Sequence, residues 1–83
     1  MTNDDIRRMI EAGIANAEVE VSGDGTHFYA RVVSDAFAGL PMLKQHRMVY
    51  AALGSKMEGA IHALSIETFT RDAWERARTL KVQ

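Results

Sequence analysis

Eighty-three residues are enough for one domain with one modest core, so the chain is read as a single unit over 1–83. Apolar residues make up 47% of it, an ordinary globular share that argues against disorder, and ten basic against eleven acidic residues leave a net charge of -1. That balance argues against a protein whose main task is gripping nucleic acid, and the absence of cysteine removes disulfides, thiolate ligands and thiol nucleophiles.

The start, Met1-Thr2-Asn3-Asp4-Asp5, is acidic where a signal peptide is basic and then apolar. No apolar run approaches the ~20 residues that a membrane-spanning helix needs. The expectation is a soluble cytoplasmic protein of a reducing compartment, with no membrane partner.

Thr2 to Asn16 reads as an amphipathic helix, with Ile6, Met9, Ile10, Gly13 and Ile14 at helical spacing and Arg7, Arg8 and Glu11 opposite. Thr2 or Asn3 caps it, Asp4 and Asp5 suit the first turn, and Asn16 suits a left-handed stop. Ala17 to Val21 then alternates as a strand with one wet face, and Ser22-Gly23-Asp24-Gly25 supplies a hairpin turn. His27 to Val33 is the returning strand. Phe28, Ala30 and Val32 share its apolar face, while Tyr29 and Arg31 join Glu18 and Glu20 on the polar one.

Ser34-Asp35 closes that strand, and Ala36 to Pro41 is a turn or short helical piece. Pro41 suits the first turn of a helix that runs from Met42 to about Met57. The inward stripe of that helix is Met42, Val49, Tyr50, Leu53 and Met57, with His46 on its edge; Gly54 weakens it and Gly59 ends it. Ile61 to Phe69 is a third strand with Leu64 and Ile66 inward, parallel to the second because one helix separates them. Thr70 caps a last helix on which Ala73, Trp74, Ala77 and Leu80 lie near one face. The fold class is α+β: a single domain of order α-β-β-α-β-α, a three-stranded mixed sheet with helices on one face.

The chemistry on offer is modest, with no carboxylate pair and no activated hydroxyl. His62 opens the third strand after a glycine-bearing turn, and His27 opens the second just past the glycine loop. If these strands are parallel, both histidines stand at one rim of the sheet. A histidine there is most often a hydrogen-bonded loop residue; the alternative is a metal ligand, for which neutral imidazole is well suited. Two histidines do not close a metal site, so a partner would have to supply the remaining ligands. Lys44, His46 and Arg47 make a basic helical start, either a solvated face or a contact for an anionic partner. Ser22, Asp24 and His27 invite a catalytic-triad reading, but hairpin turns select serine and aspartate anyway.

The run from Val21 to Phe28, Phe37-Ala38-Gly39 followed by His46-Arg47-Met48-Val49-Tyr50, and Ile61-His62-Ala63-Leu64-Ser65-Ile66 with Thr70 and Trp74 together resemble a BolA-like protein. The short form with a Gly-Asp-Gly turn is similar to the bacterial IbaG branch of that family. The resemblance spans essentially the whole chain and implies a class II KH-like fold. It also implies a non-enzymatic adaptor, which pairs with a monothiol glutaredoxin and shares a [2Fe-2S] cluster held in addition by a glutathione thiolate. The roles implied are iron-sulfur cluster trafficking or iron homeostasis and stress response. By that resemblance His62 and His27 are the cluster ligands, the isolated protein carries no cofactor, and the free chain is a monomer. Gln45 stands where the family commonly has Arg or Lys, and Arg71 where it often has Pro. The alternative implied is a nucleic-acid-binding transcriptional regulator, although Gly39-Leu40-Pro41-Met42 lacks the second glycine of a GxxG loop.

Overall fold

A computed structural model describes residues 1–57, 59 and 63–81. It shows one compact domain of three helices and a three-stranded mixed sheet: α1 (Asn3–Gly13), β1 (Glu18–Gly23), β2 (Phe28–Val33), α2 (Met42–Leu53), β3 (Leu64–Phe69) and α3 (Arg71–Lys81). Single 3-10 turns lie at Asp35–Phe37 and Gly54–Met57. The strand order is β1-β2-β3, antiparallel between β1 and β2 and parallel between β2 and β3.

Local chemistry explains most element ends. Thr2 caps α1 through a capping box, its hydroxyl accepting from the Asp5 amide while the Asp5 carboxylate accepts from the Thr2 amide. Asn16 takes a positive φ of 51° just after the helix, the left-handed stop that its short polar side chain permits. At α3, Thr70 accepts from the Ala73 amide at 3.2 Å. Helix α2 ends earlier than its periodicity suggests. Gly54 adopts φ 57°, a conformation costly for any residue with a Cβ, and terminates the helix four residues before Met57 rather than merely weakening it.

The core lies on one face of the sheet. Ile6, Ile10 and Ile14 from α1, Val49 and Leu53 from α2, and Phe37 from the connecting turn close over Phe28, Ala30, Val32 and Leu64. Gly13 lets the two helices meet: a Cβ built there would stand 2.5 Å from the Cβ of Ala52. That contact rotates α2 away from its expected orientation. Its buried side is Val49 and Leu53, with Met48 and Ala52 half-buried against α1, so Met42 is 60% exposed and Tyr50 37%. Both were expected to point inward, and the side chain of Met57, the last of that stripe, lies outside the described residues.

Two further expectations shift. The third strand begins at Leu64, with Ala63 in a 3-10 conformation, while Ile61 and His62 lie outside the described residues. Leu80, expected near the packed face of α3, is 72% exposed. Helix α3 instead contributes Trp74 to the opposite, polar face of the sheet, where the ring meets Phe69 at 5.2 Å between centroids and lies under the guanidinium of Arg31.

Candidate functional site

The rim where β2 and β3 begin is the first place to examine. Phe28 pairs with Leu64 in the parallel register, so the two strands start level, as the sequence requires for its rim histidines. His27 directly precedes Phe28 and is exposed. The loop before it is held by one side chain. The Asp24 carboxylate accepts the amides of Thr26 at 2.8 Å and His27 at 2.9 Å, and the Asp24 amide donates to the His27 carbonyl at 3.2 Å. The His27 amide, followed by that of Thr26, holds the Asp24 carboxyl below its usual pKa, because both donors favour the charged form. Asp24 is thereby occupied as a backbone acceptor, which leaves the His27 ring as the group this loop presents. His62, the other expected ligand, lies outside the described residues. Among the described residues there is no group of three or more His, Asp or Glu side chains placed to hold a metal ion.

The basic trio on α2 does not form one patch. Lys44 and Arg47 are exposed and share the outer face of the helix, whereas His46 is half-buried on the flank toward β3. Its Nε2 is buried and has no hydrogen-bond partner among the described residues. Helix α2, MLKQHRMVYAAL, contains no acidic residue at all. Between it and β3 runs a groove lined by Met42, His46, Ile66, Glu67, Thr68 and Phe69. Successive strand residues face opposite sides of a sheet, so a groove touching four consecutive residues of β3 follows the edge of the strand, not one face.

Several working residues escaped the sequence pattern. Gln45 bridges that groove's floor: its amide donates to the Leu40 carbonyl at 2.8 Å, and its carbonyl accepts from the Thr68 hydroxyl at 2.7 Å. Glutamine here is thus a tie between α2 and β3 rather than a missing cation. Arg71 donates its amide to Asp35 at 3.1 Å and its guanidinium to Glu18 and the Asn16 carbonyl, which seats the start of α3. Ser34, fully buried, donates to the Ala15 carbonyl at 2.7 Å and accepts from the Ala36 amide. A polar residue closing an apolar strand was the available signal for Ser34; the partners of Gln45 and Arg71 are too far along the chain for any local pattern.

On the polar face of the sheet Arg31 pairs with Glu20 at 2.5 Å, and the Tyr29 hydroxyl donates to Glu67. Burial, then the Glu67 hydrogen bond, pushes the Tyr29 pKa up to about 12. These groups satisfy one another and offer no poised nucleophile or base.

The chain matches the sequence profile of the BolA-like proteins over residues 8–73. It is 36% identical over 81 residues to the acid stress protein IbaG of Escherichia coli K12, covering 96% of each chain. It is 39% identical over 54 residues to the DNA-binding transcriptional regulator BolA of the same bacterium, covering 65% of this chain and 51% of the relative. Its structure resembles that of a bolA protein homologue from Coxiella burnetii, with a TM-score of 0.80 and 46% identity over 90% of this chain and 97% of the other. The fold, the level start of β2 and β3 below the glycine loop, and these likenesses place the chain in the BolA-like family.

Proposed function

We propose that this protein is a non-enzymatic adaptor that pairs with a monothiol glutaredoxin and helps to hold a [2Fe-2S] cluster between the two chains. The observation that carries this reading is the rim. A loop closed by Asp24 presents an exposed imidazole, His27, where β2 and β3 start level, in a chain with no thiol of its own. His27 and His62 are the two ligands this chain would give. A partner cysteine and a glutathione thiolate would complete the set. Imidazole in place of thiolate on one iron makes the site less negative and raises its potential. Because no described group of side chains suffices for a metal alone, assembly would be conditional on the partner, which suits an adaptor.

The test is to mix the protein with a cluster-loaded monothiol glutaredoxin and follow the visible spectrum. The expected result is a changed spectrum and a one-to-one complex on gel filtration, both abolished or strongly reduced by His62→Ala. An unaltered spectrum on mixing, or a mutant complex identical to wild type, would remove the reading or His62 from it.

A second reading, binding to nucleic acid, has one observation in its favour: the acid-free helix α2 with Lys44 and Arg47 exposed. Two exposed cations neutralise only about two phosphates, so affinity on this surface should be low and fall with salt on a shallow slope. An electrophoretic shift at ~150 mM salt separates the readings; tight, sequence-selective binding would reverse their order.

A further inference from the structure

We propose that the outer edge of β3 is a docking site for an extended, acidic peptide segment of a partner protein, which adds to the sheet as a fourth strand. The main chain comes first. The Phe69 carbonyl accepts from the Ser34 amide at 2.9 Å, so the polar main-chain groups of Phe69 face β2. With the two-residue period of a strand, those of Ser65 and Glu67 do so too. Those of Ile66 and Thr68, one step out of phase, point away from β2 to the outer edge. In the strand order β1-β2-β3 no strand lies on that side.

Edge strands are normally guarded by charge, proline or a bulge. The other edge strand, β1, carries Glu18 and Glu20, both exposed. Strand β3, LSIETF, has a single charge, Glu67, and that carboxylate is engaged by Tyr29 on the polar face. Its edge is therefore the less protected of the two.

The neighbouring helix is shaped for side chains of an added strand. At about 100° per residue, Met42, His46 and Tyr50 form one row along the flank of α2 toward β3, with Leu43 and Arg47 in the next row outward. Met42, Leu43 and Tyr50 are three of the five large apolar residues exposed among the described residues. The buried, unpartnered Nε2 of His46 lies in the groove between helix and strand. A fourth strand would place every second side chain over the Met42–His46–Tyr50 row. Its acidic residues would meet Arg47 on a helix without any carboxylate of its own. This charge complementarity selects an acidic peptide. Nucleic acid would leave the edge amides and carbonyls unpaired and find one cation beside the groove.

The inference goes beyond the cluster-sharing reading and its test uses no cluster, glutathione or glutaredoxin, so either can fail alone. The probe is a synthetic peptide of about nine residues, alternating Val and Thr and ending in two Asp, added at millimolar concentration to the full chain. Amide hydrogen exchange by NMR is the readout. The expected result is exchange slowed roughly tenfold at Ile66 and Thr68 with Glu67 unchanged, and loss of that protection in a Met42→Asp, Arg47→Glu double variant. Both substituted positions are exposed, so the fold should survive; the variant's circular dichroism checks this. Absent protection, or protection spread evenly over the sheet, overturns the proposal. So does protection of the same amides by a thymidine dodecamer but not by the peptide. Protection that grows with protein concentration alone would assign the edge to a second copy of this chain instead.

Discussion

Arg31 lays its guanidinium over the ring of Trp74, 4.0 Å from the centroid, and so joins the central strand to the last helix on the polar face of the sheet. The same guanidinium reaches Glu20 at 2.5 Å, which fixes it in plane above the indole. Helix α3 has little other purchase on the domain, since its outer residues Leu80, Arg76 and Arg78 face solvent. The pair therefore anchors α3. A double-mutant cycle with Arg31→Ala and Trp74→Ala should give a coupling of about 0.5–1 kcal/mol, the range for a partly exposed cation–π contact. Trp74 is the sole tryptophan, so its fluorescence in Arg31→Ala should shift to the red without global unfolding.

Tyr29 makes stability depend on alkaline pH. Its folded pKa, pushed up to about 12 by burial and by Glu67, lies above that of an unfolded tyrosine, near 10. Between these values the folded chain binds the proton more tightly than the unfolded chain does. The contribution is complete below about pH 10 and is lost as pH rises toward about 12. Urea midpoints measured across this window should fall less in Tyr29→Phe than in wild type. A Tyr50→Phe background isolates the phenol titration at 295 nm; two identical curves would rule the effect out.

Gly13→Ala should destabilise the protein, although alanine is the better helix former by about 1 kcal/mol. The added Cβ would stand 2.5 Å from Ala52 Cβ and 3.0 Å from its Cα, where two helices are already in contact. Overpacking of this kind costs about 1–3 kcal/mol, so the clash wins. Ala52→Gly in the same chain should recover part of the loss in thermal denaturation. Unchanged stability of the single mutant would show that α1 and α2 can move apart.

Asp24→Ala should speed amide exchange at Thr26 and His27, whereas Asp24→Asn, which keeps an acceptor oxygen, should not. The same contacts hold the Asp24 carboxyl below its usual pKa, so their contribution stands above the unfolded pKa and is lost as pH falls through the folded value. Equal exchange in the two variants would mean that the flanking glycines alone set the loop.

His27→Ala should weaken the cluster-bridged complex less than His62→Ala does. Its loop contains Gly23 and Gly25, and ordering it on binding carries an entropic cost that offsets part of the ligand's contribution. The double mutant should behave much like His62→Ala alone, since both rings would serve one iron. Cluster retention against a competing chelator measures all four proteins, and a His27→Ala complex equal to wild type leaves His27 as a turn residue.

Local pattern carried much of this molecule. The capping box at Thr2, the stop at Asn16, the Gly-Asp-Gly loop and the alternation that divides Phe28, Ala30 and Val32 from Tyr29 and Arg31 are all visible within a few residues. They are visible because caps, turns and strand faces are set by neighbours in sequence. The level placement of the two strand starts also followed, since one intervening helix forces a parallel pair. Helical spacing could locate an apolar stripe on α2, but not which part of it would find cover. With α1 packed at Gly13 and only three strands beneath, the helix buries Val49 and Leu53 and leaves Met42 and Tyr50 on the flank beside β3. Trp74 was legible as an apolar residue of an amphipathic helix, but its seat under Arg31 depends on a pairing 43 positions away (74 minus 31). The open edge of β3 and the groove beside it exist only once strand order is settled. Periodicity records which residues seek burial; the limited area that three strands and two helices can offer decides which of them obtain it.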